Sequence, residues 1–224
     1  MFFKKSNLQM NDFLHYVIIN KKGKFMFKRK CKITFITHGA TVHSLDGMIS
    51  DNEKYPKLNE FGEEEIEKVC EYLEKRAVQY DKIYTSSPVR CTQSAQIIAK
   101  LFKKNITAID LPPRKHGEWN GSTYAEIYEK YGTGAISKTP KDGESLTAFN
   151  KRVAKTLYKL IEENRGSRII IVTTPDVVQS AIAQTLELDG INQFKVLVKT
   201  GSLTQISYFE DEWSSIIYSG YVPL

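Results

Sequence analysis

The chain has 224 residues, 41% hydrophobic and 26% charged, with a net charge of +6. That length and balance suit one globular domain with its own core, and no apolar run approaches the ~18 residues of a membrane span or a secretory leader. The charge is uneven: residues 1–32 hold nine Lys/Arg against Asp12 alone, which leaves 23 basic and 25 acidic residues for the remainder.

The body of the protein is therefore close to neutral, and a nucleic-acid partner, which wants a basic face on the folded domain, is not expected. Residues 1–31 read as a basic extension that is either solvated or binds an acidic surface or a targeting receptor. Residues 32–224 read as the domain, and Met26 is an alternative start. Cys31, Cys70 and Cys91 follow no metal or disulfide spacing. They are expected as free, buried thiols of the cytoplasm or another reducing compartment.

In chain order, the stretch HYVIINKKGKFMFKRK allows a hairpin turning at Lys22-Gly23. The apolar run ITFIT predicts a strand ending at Thr37. Asn59 is placed to cap a helix with Ile66, Val69, Cys70, Leu73 and Ala77 on one side. KIYTS is a second strand. Pro88 suits the first position of a helix that carries Val89, Thr92, Ala95, Ile98, Ala99 and Phe102 on one side. NITAID is a third strand, and residues 111–145 are loop-rich around a short helix near 123–131. Leu146, Phe149, Val153, Leu157, Leu160 and Ile161 describe a long amphipathic helix. RIIIVTT is wholly apolar, like a strand covered on both faces. Pro175 opens a further helix, and SLTQISYF with SSIIYS closes the chain as an antiparallel pair. The alternation implies an α/β fold: one three-layer domain, a mainly parallel sheet with helices on both faces, and an antiparallel C-terminal edge.

Three distant pieces then fall at carboxyl ends of strands: His38-Gly39, Ser86-Ser87-Pro88-Val89-Arg90 and Thr173-Thr174. In an α/β sheet these ends share one crevice.

The segments THGAT, LNEFGEEE, YTSSPVRCTQSA, HGEWNG, PKDGESL, IIIVTTPDVV and TGSL are individually weak. In this order, over residues 32–210, they resemble the phosphoglycerate-mutase-like branch of the histidine phosphatase superfamily. The resemblance implies a histidine at the first strand end that attacks phosphorus and becomes phosphohistidine. It implies two arginines and a second histidine that hold the phosphate, and an acid that protonates the leaving oxygen. No metal or cofactor is implied.

Carried over by position, His38 is the nucleophile and Arg90 a phosphate ligand. Thr41 matches the family, and Ser44 stands where asparagine is common. Thr37 replaces the first arginine, Pro113 the acid and Thr174 the second histidine. Gly143-Glu144-Ser145 match, with Ser145 read as the cap of the long helix. Thr37, Thr41, Ser44 and Thr174 are candidate hydroxyl ligands, and Glu118, His116 and His43 are candidate substitutes for the missing acid or donor. A threonine cannot supply the planar charged fork of arginine. One lost charge-stabilising donor costs about 100- to 1000-fold in rate, and one lost acid roughly 100- to 10,000-fold. Three readings follow: a pseudophosphatase that binds phosphate or a phosphorylated small molecule, an active phosphomonoesterase using a rearranged acid, and a structural partner of another protein.

Overall fold

The computed structural model describes residues 28–51, 55–210 and 212–223. The hairpin expected around Lys22-Gly23 lies outside them except for its last residues. Those already belong to the first strand, β1 (Arg29–Thr37), which starts ahead of the boundary expected at 32 and buries Lys30 and Cys31. A short helix α1 (Val42–Leu45) precedes α2 (Glu60–Lys75), β2 (Lys82–Ser86), α3 (Val89–Phe102) and β3 (Ile106–Ile109). The central segment carries 3-10 turns at Gly117–Trp119 and Gly132–Ser137, on either side of α4 (Tyr124–Tyr131). Then come α5 (Leu146–Glu163), β4 (Arg168–Thr173), α6 (Pro175–Thr185), a 3-10 turn at Gly190–Lys195, and the strands β5 (Leu203–Phe209) and β6 (Ser214–Tyr221).

The strands form one sheet in the order β3-β2-β4-β1-β5-β6. The first four are mutually parallel, while β5 and β6 run antiparallel at the other edge. β4 lies between two parallel neighbours, which explains its unbroken apolar run. Its side chains alternate between faces: Ile169 and Ile171 join the core under α5 and α6, while Ile170 and Val172 join the core under α2 and α3. The three-layer α/β architecture is thus the one the alternation implied. Among the described residues no helix is long and apolar enough to cross a membrane.

Local signals set the helix starts. The Asn59 side chain accepts from Gly62 N at 2.8 Å, and the Ser145 hydroxyl accepts from Ala148 N at 3.1 Å, so Ser145 is the cap it was read to be. Two expectations need correction. Ala77 is not on the α2 stripe, because the helix stops at Lys75 and Ala77 turns away at φ 51°. On α3 the buried face is Arg90, Cys91, Ser94, Ala95 and Ile98, with Pro88 as cap and Val89 as first helical residue. The stripe is rotated because Arg90 faces inward, which apolar periodicity does not register.

The strand ends set up the crevice. Thr37 pairs with Thr173 across β1 and β4, His38 N donates to Thr173 O at 3.0 Å, and the Ser86 and Thr173 hydroxyls are 2.7 Å apart. The turn after β1 lies directly on the start of α2. A Cβ on Gly39 would come within 2.0 Å of Gly62 O, and one on Gly62 within 2.1 Å of Ala40 O. Both positions need glycine because two backbones touch there.

Candidate functional site

His38, 5% exposed, sits just beyond β1. Its Nδ1 is 2.8 Å from its neighbour's carbonyl, Gly39 O. A carbonyl only accepts, so Nδ1 carries the proton and Nε2 keeps its lone pair. Arg90, 4% exposed on the first turn of α3, donates through Nε to that Nε2 at 3.2 Å and through Nη2 to Ser50 O at 3.1 Å. Burial, and then the adjacent guanidinium, push the His38 pKa down to about 3. The imidazole is therefore neutral at physiological pH, and its unprotonated nitrogen lies beside a fixed positive charge.

Both residues line a cavity of about 870 Å³. The loop that presents His38 is held by its own backbone donors. Gly39 N donates to the Ser94 hydroxyl at 3.1 Å, and Ala40 N to Glu65 Oε2 at 2.7 Å. Glu65 also lines the cavity and accepts from the Thr200 hydroxyl at 3.1 Å. Burial raises its pKa.

The other sequence candidates divide. Thr41, Ser44, His43, His116 and Thr174 line the cavity. The Thr41 and Ser44 hydroxyls are engaged with each other's backbone as the reciprocal cap of α1. The His43 ring meets Tyr55 edge-on at 5.0 Å. His116 donates its backbone N–H to Asp51 Oδ2 at 2.6 Å, and burial lowers its imidazole pKa. Glu118 is exposed and is not among the lining residues. Neither is Thr37, whose hydroxyl donates to Lys199 O at 2.6 Å and accepts from Ser202 N at 2.8 Å.

Sequence reasoning passed over Asp176 and Arg114 in the cavity wall, and Arg152, which lies outside the lining. Asp176, two positions after Thr174, accepts from the Thr174 hydroxyl, from Val177 N at 2.9 Å and from Arg114 N at 2.6 Å. Arg114, 4% exposed, donates to Glu144 O and Lys138 O, both at 2.9 Å. Arg152 grips Glu144 with two bonds, at 2.7 and 2.8 Å, and reaches the carbonyls of Pro112 at 2.8 Å and Pro113 at 2.7 Å. Glu144 of the glycine-glutamate-serine segment is thus a brace for the central loop.

Residues 33–218 match the family model described as histidine phosphatase superfamily (branch 1). The chain belongs to this family. It is 26% identical over 195 residues to the "Broad-specificity phosphatase YOR283W" of Saccharomyces cerevisiae, covering 83% of each chain. It is 29% identical over 159 residues to "Phosphoglycerate mutase-like protein 4" of Arabidopsis thaliana, covering 66% of this chain and 68% of that one. In three dimensions it resembles the phosphoserine phosphatase of Entamoeba histolytica, solved in complex with 3-phosphoglyceric acid, with a TM-score of 0.75 and 23% identity over 86% of this chain and 98% of that one.

Proposed function

We propose that this histidine phosphatase superfamily member binds phosphorylated small molecules in the crevice beside His38 and Arg90, and that its phosphoryl transfer is strongly impaired. The binding half rests on the neutral His38 Nε2 facing Arg90, and on relatives whose names are those of phosphatases. In transfer, Nε2 would attack phosphorus, the bond to the leaving oxygen would break, and that oxygen would take a proton. Water would then release phosphate from the histidine. Arg90 would neutralise charge on the phosphoryl oxygens throughout.

The observation that carries the impaired half is Asp176. It is a carboxylate-bearing residue in the cavity wall, and it takes up the Thr174 hydroxyl that would otherwise replace the second histidine as a donor. The Thr37 hydroxyl is likewise engaged with Lys199 O, and Pro113 has no proton to give. Two lost donors and a lost acid, each worth at least about 100-fold, do not multiply, because such groups act as a unit. The same residue also favours a second reading, an active phosphatase. Asp176 receives the backbone N–H of Arg114, next to Pro113 where the family acid stands, and so lies near the place from which a rearranged acid would act.

The test is hydrolysis of p-nitrophenyl phosphate by the wild type, His38→Ala and Asp176→Asn, with phosphate-dependent melting alongside. We expect turnover barely above background. Millimolar phosphate should raise the melting temperature of the wild type and not of Arg90→Ala. Turnover in the ordinary enzyme range of ~1–1000 per second, abolished by both His38→Ala and Asp176→Asn, would establish the second reading instead.

A further inference from the structure

Glu65 and His38 meet on opposite sides of one peptide group. The peptide from Gly39 to Ala40 offers its carbonyl oxygen to His38 Nδ1 at 2.8 Å and its N–H to Glu65 Oε2 at 2.7 Å. The C=O and N–H of a trans peptide point in opposite directions within one rigid plane. A side chain that fixes the N–H therefore fixes the carbonyl, and with it the imidazole that donates to that carbonyl. The bonds run in series from the Glu65 carboxylate, through the peptide and the His38 ring, to Arg90, whose Nε donates to Nε2 at 3.2 Å.

The start of α2 is shaped to hold this plane. Gly62 lets the helix backbone come against Gly39, where a Cβ would meet Gly62 O at 2.0 Å. Glu65 stands three residues further on, on the same side of the helix. Asn59 N donates to Ala40 O at 3.2 Å, so both polar backbone groups of Ala40 are tied to this part of the chain. The other oxygen of Glu65 accepts from the Thr200 hydroxyl at 3.1 Å, and Gly201 N donates to His38 O at 3.1 Å. One carboxylate thus joins two segments that each hold His38. A bond to an ionised acceptor is roughly twice as strong as one between neutral groups, and bonds in series strengthen one another.

We infer that Glu65 is a positioning residue for His38: through the Gly39–Ala40 peptide it orients the imidazole so that the Nε2 lone pair is held toward an anion beside Arg90. It acts on the peptide and not on the ring. The anion rests on the phosphate-binding reading above, whereas the tie between Glu65 and His38 does not.

Two measurements on the full chain test this. The first needs no ligand: it is the exchange of the His38 Nδ1 proton with solvent, followed by NMR and assigned by its loss in His38→Gln. The second compares orthovanadate with inorganic phosphate. Nε2 adds to vanadium, which passes from four ligands to five with no group leaving, so vanadate affinity depends on the aim of the lone pair. Phosphate is held by Arg90 without such a bond. Glu65→Met fills the same space without an acceptor. It should speed the exchange about tenfold and weaken vanadate about tenfold, the scale of one lost hydrogen bond, with no loss of phosphate affinity. Glu65→Gln keeps an oxygen for Ala40 N and should follow the wild type in both. Thr200→Val removes only the second bond of the carboxylate and should leave the Nδ1 proton unmoved. Unchanged exchange in Glu65→Met overturns the assignment, and Glu65→Gln behaving like Glu65→Met overturns the hydrogen-bond account. Equal acceleration in Thr200→Val would mean a general loosening of the wall and overturns it as well. Should Glu65→Met not fold, the wild type still decides: an Nδ1 proton that exchanges as fast as that of free imidazole overturns the tie, and vanadate bound no tighter than phosphate overturns the aim. A wild type that binds neither anion removes the phosphate reading, while the exchange rates still decide the tie.

Discussion

Arg90 gives its Nε hydrogen to Nε2 of His38 at 3.2 Å, while the Nδ1 side of the same ring is tied to Gly39 O at 2.8 Å. The two bonds fix both the tautomer and the direction of the lone pair. They also place a permanent cation where a second proton on the ring would have to go, and burial adds to the cost of that proton.

Stability should therefore fall in mild acid. The unfolded chain takes a proton on this histidine near pH 6.5, whereas the folded chain does so only near the depressed value of about 3. Between those limits the unfolded state binds more protons, so stability declines as pH falls, by up to about 1.4 kcal/mol per pH unit for one group. His116, also lowered by burial, acts in the same direction. Glu65, raised by burial, acts in the opposite one, since the folded state protonates it first. Urea unfolding from pH 7 to 4.5 should show a shallower slope for His38→Gln than for the wild type, since the other groups are common to both. Equal slopes would mean that His38 is not held neutral by the fold.

Asp176→Asn should tighten phosphate binding roughly tenfold, an effect of about 1.4 kcal/mol. The carboxylate lines the cavity beside the site where an anion would lie, and like charges in a partly desolvated cavity repel strongly. Asparagine keeps one oxygen for the Thr174 hydroxyl and Val177 N but loses the acceptor now facing Arg114 N. Stability should drop by about 1–2 kcal/mol as affinity rises. Titration with phosphate and chemical denaturation separate the two effects, and unchanged affinity would remove Asp176 from the account of impairment.

Arg152→Ala should loosen the central loop. The guanidinium makes a fork to Glu144 and also reaches two proline carbonyls, and side-chain exposure in the pair is only 30% and 14%. The expected cost is about 2–4 kcal/mol, below that of a fully buried pair because solvent reaches the arginine. Arg152→Lys should recover little of it, since an ammonium cannot span the fork and both carbonyls. Thermal denaturation of the two variants checks this, and full recovery by lysine would show that charge alone matters.

The parts of this protein that depend on near neighbours were legible before any fold was known. The run Ile169–Val172 announces a strand covered on both faces because apolarity without alternation suits only a buried parallel strand. Asn59 and Ser145 announce helix starts because their side chains bond donors three residues ahead. The pairing of His38 with Arg90 was legible through the family motifs, whose order stands for contacts between separate strand ends. The tertiary structure decided what chain-distant groups do to one another. Asp176 becomes a cavity carboxylate only because Arg114, 62 residues away, gives it a backbone hydrogen bond. Thr37 is withdrawn from the crevice only because a carbonyl 162 residues away meets its hydroxyl. Apolar spacing on α3 found Ala95 and Ile98 but placed the rest of the stripe off the buried face, because it cannot register an arginine buried beside a histidine. The cavity beside His38 has no signature in the sequence, since a cavity is defined by which surfaces fail to touch once helices and loops have packed, and that is a property of the packed whole.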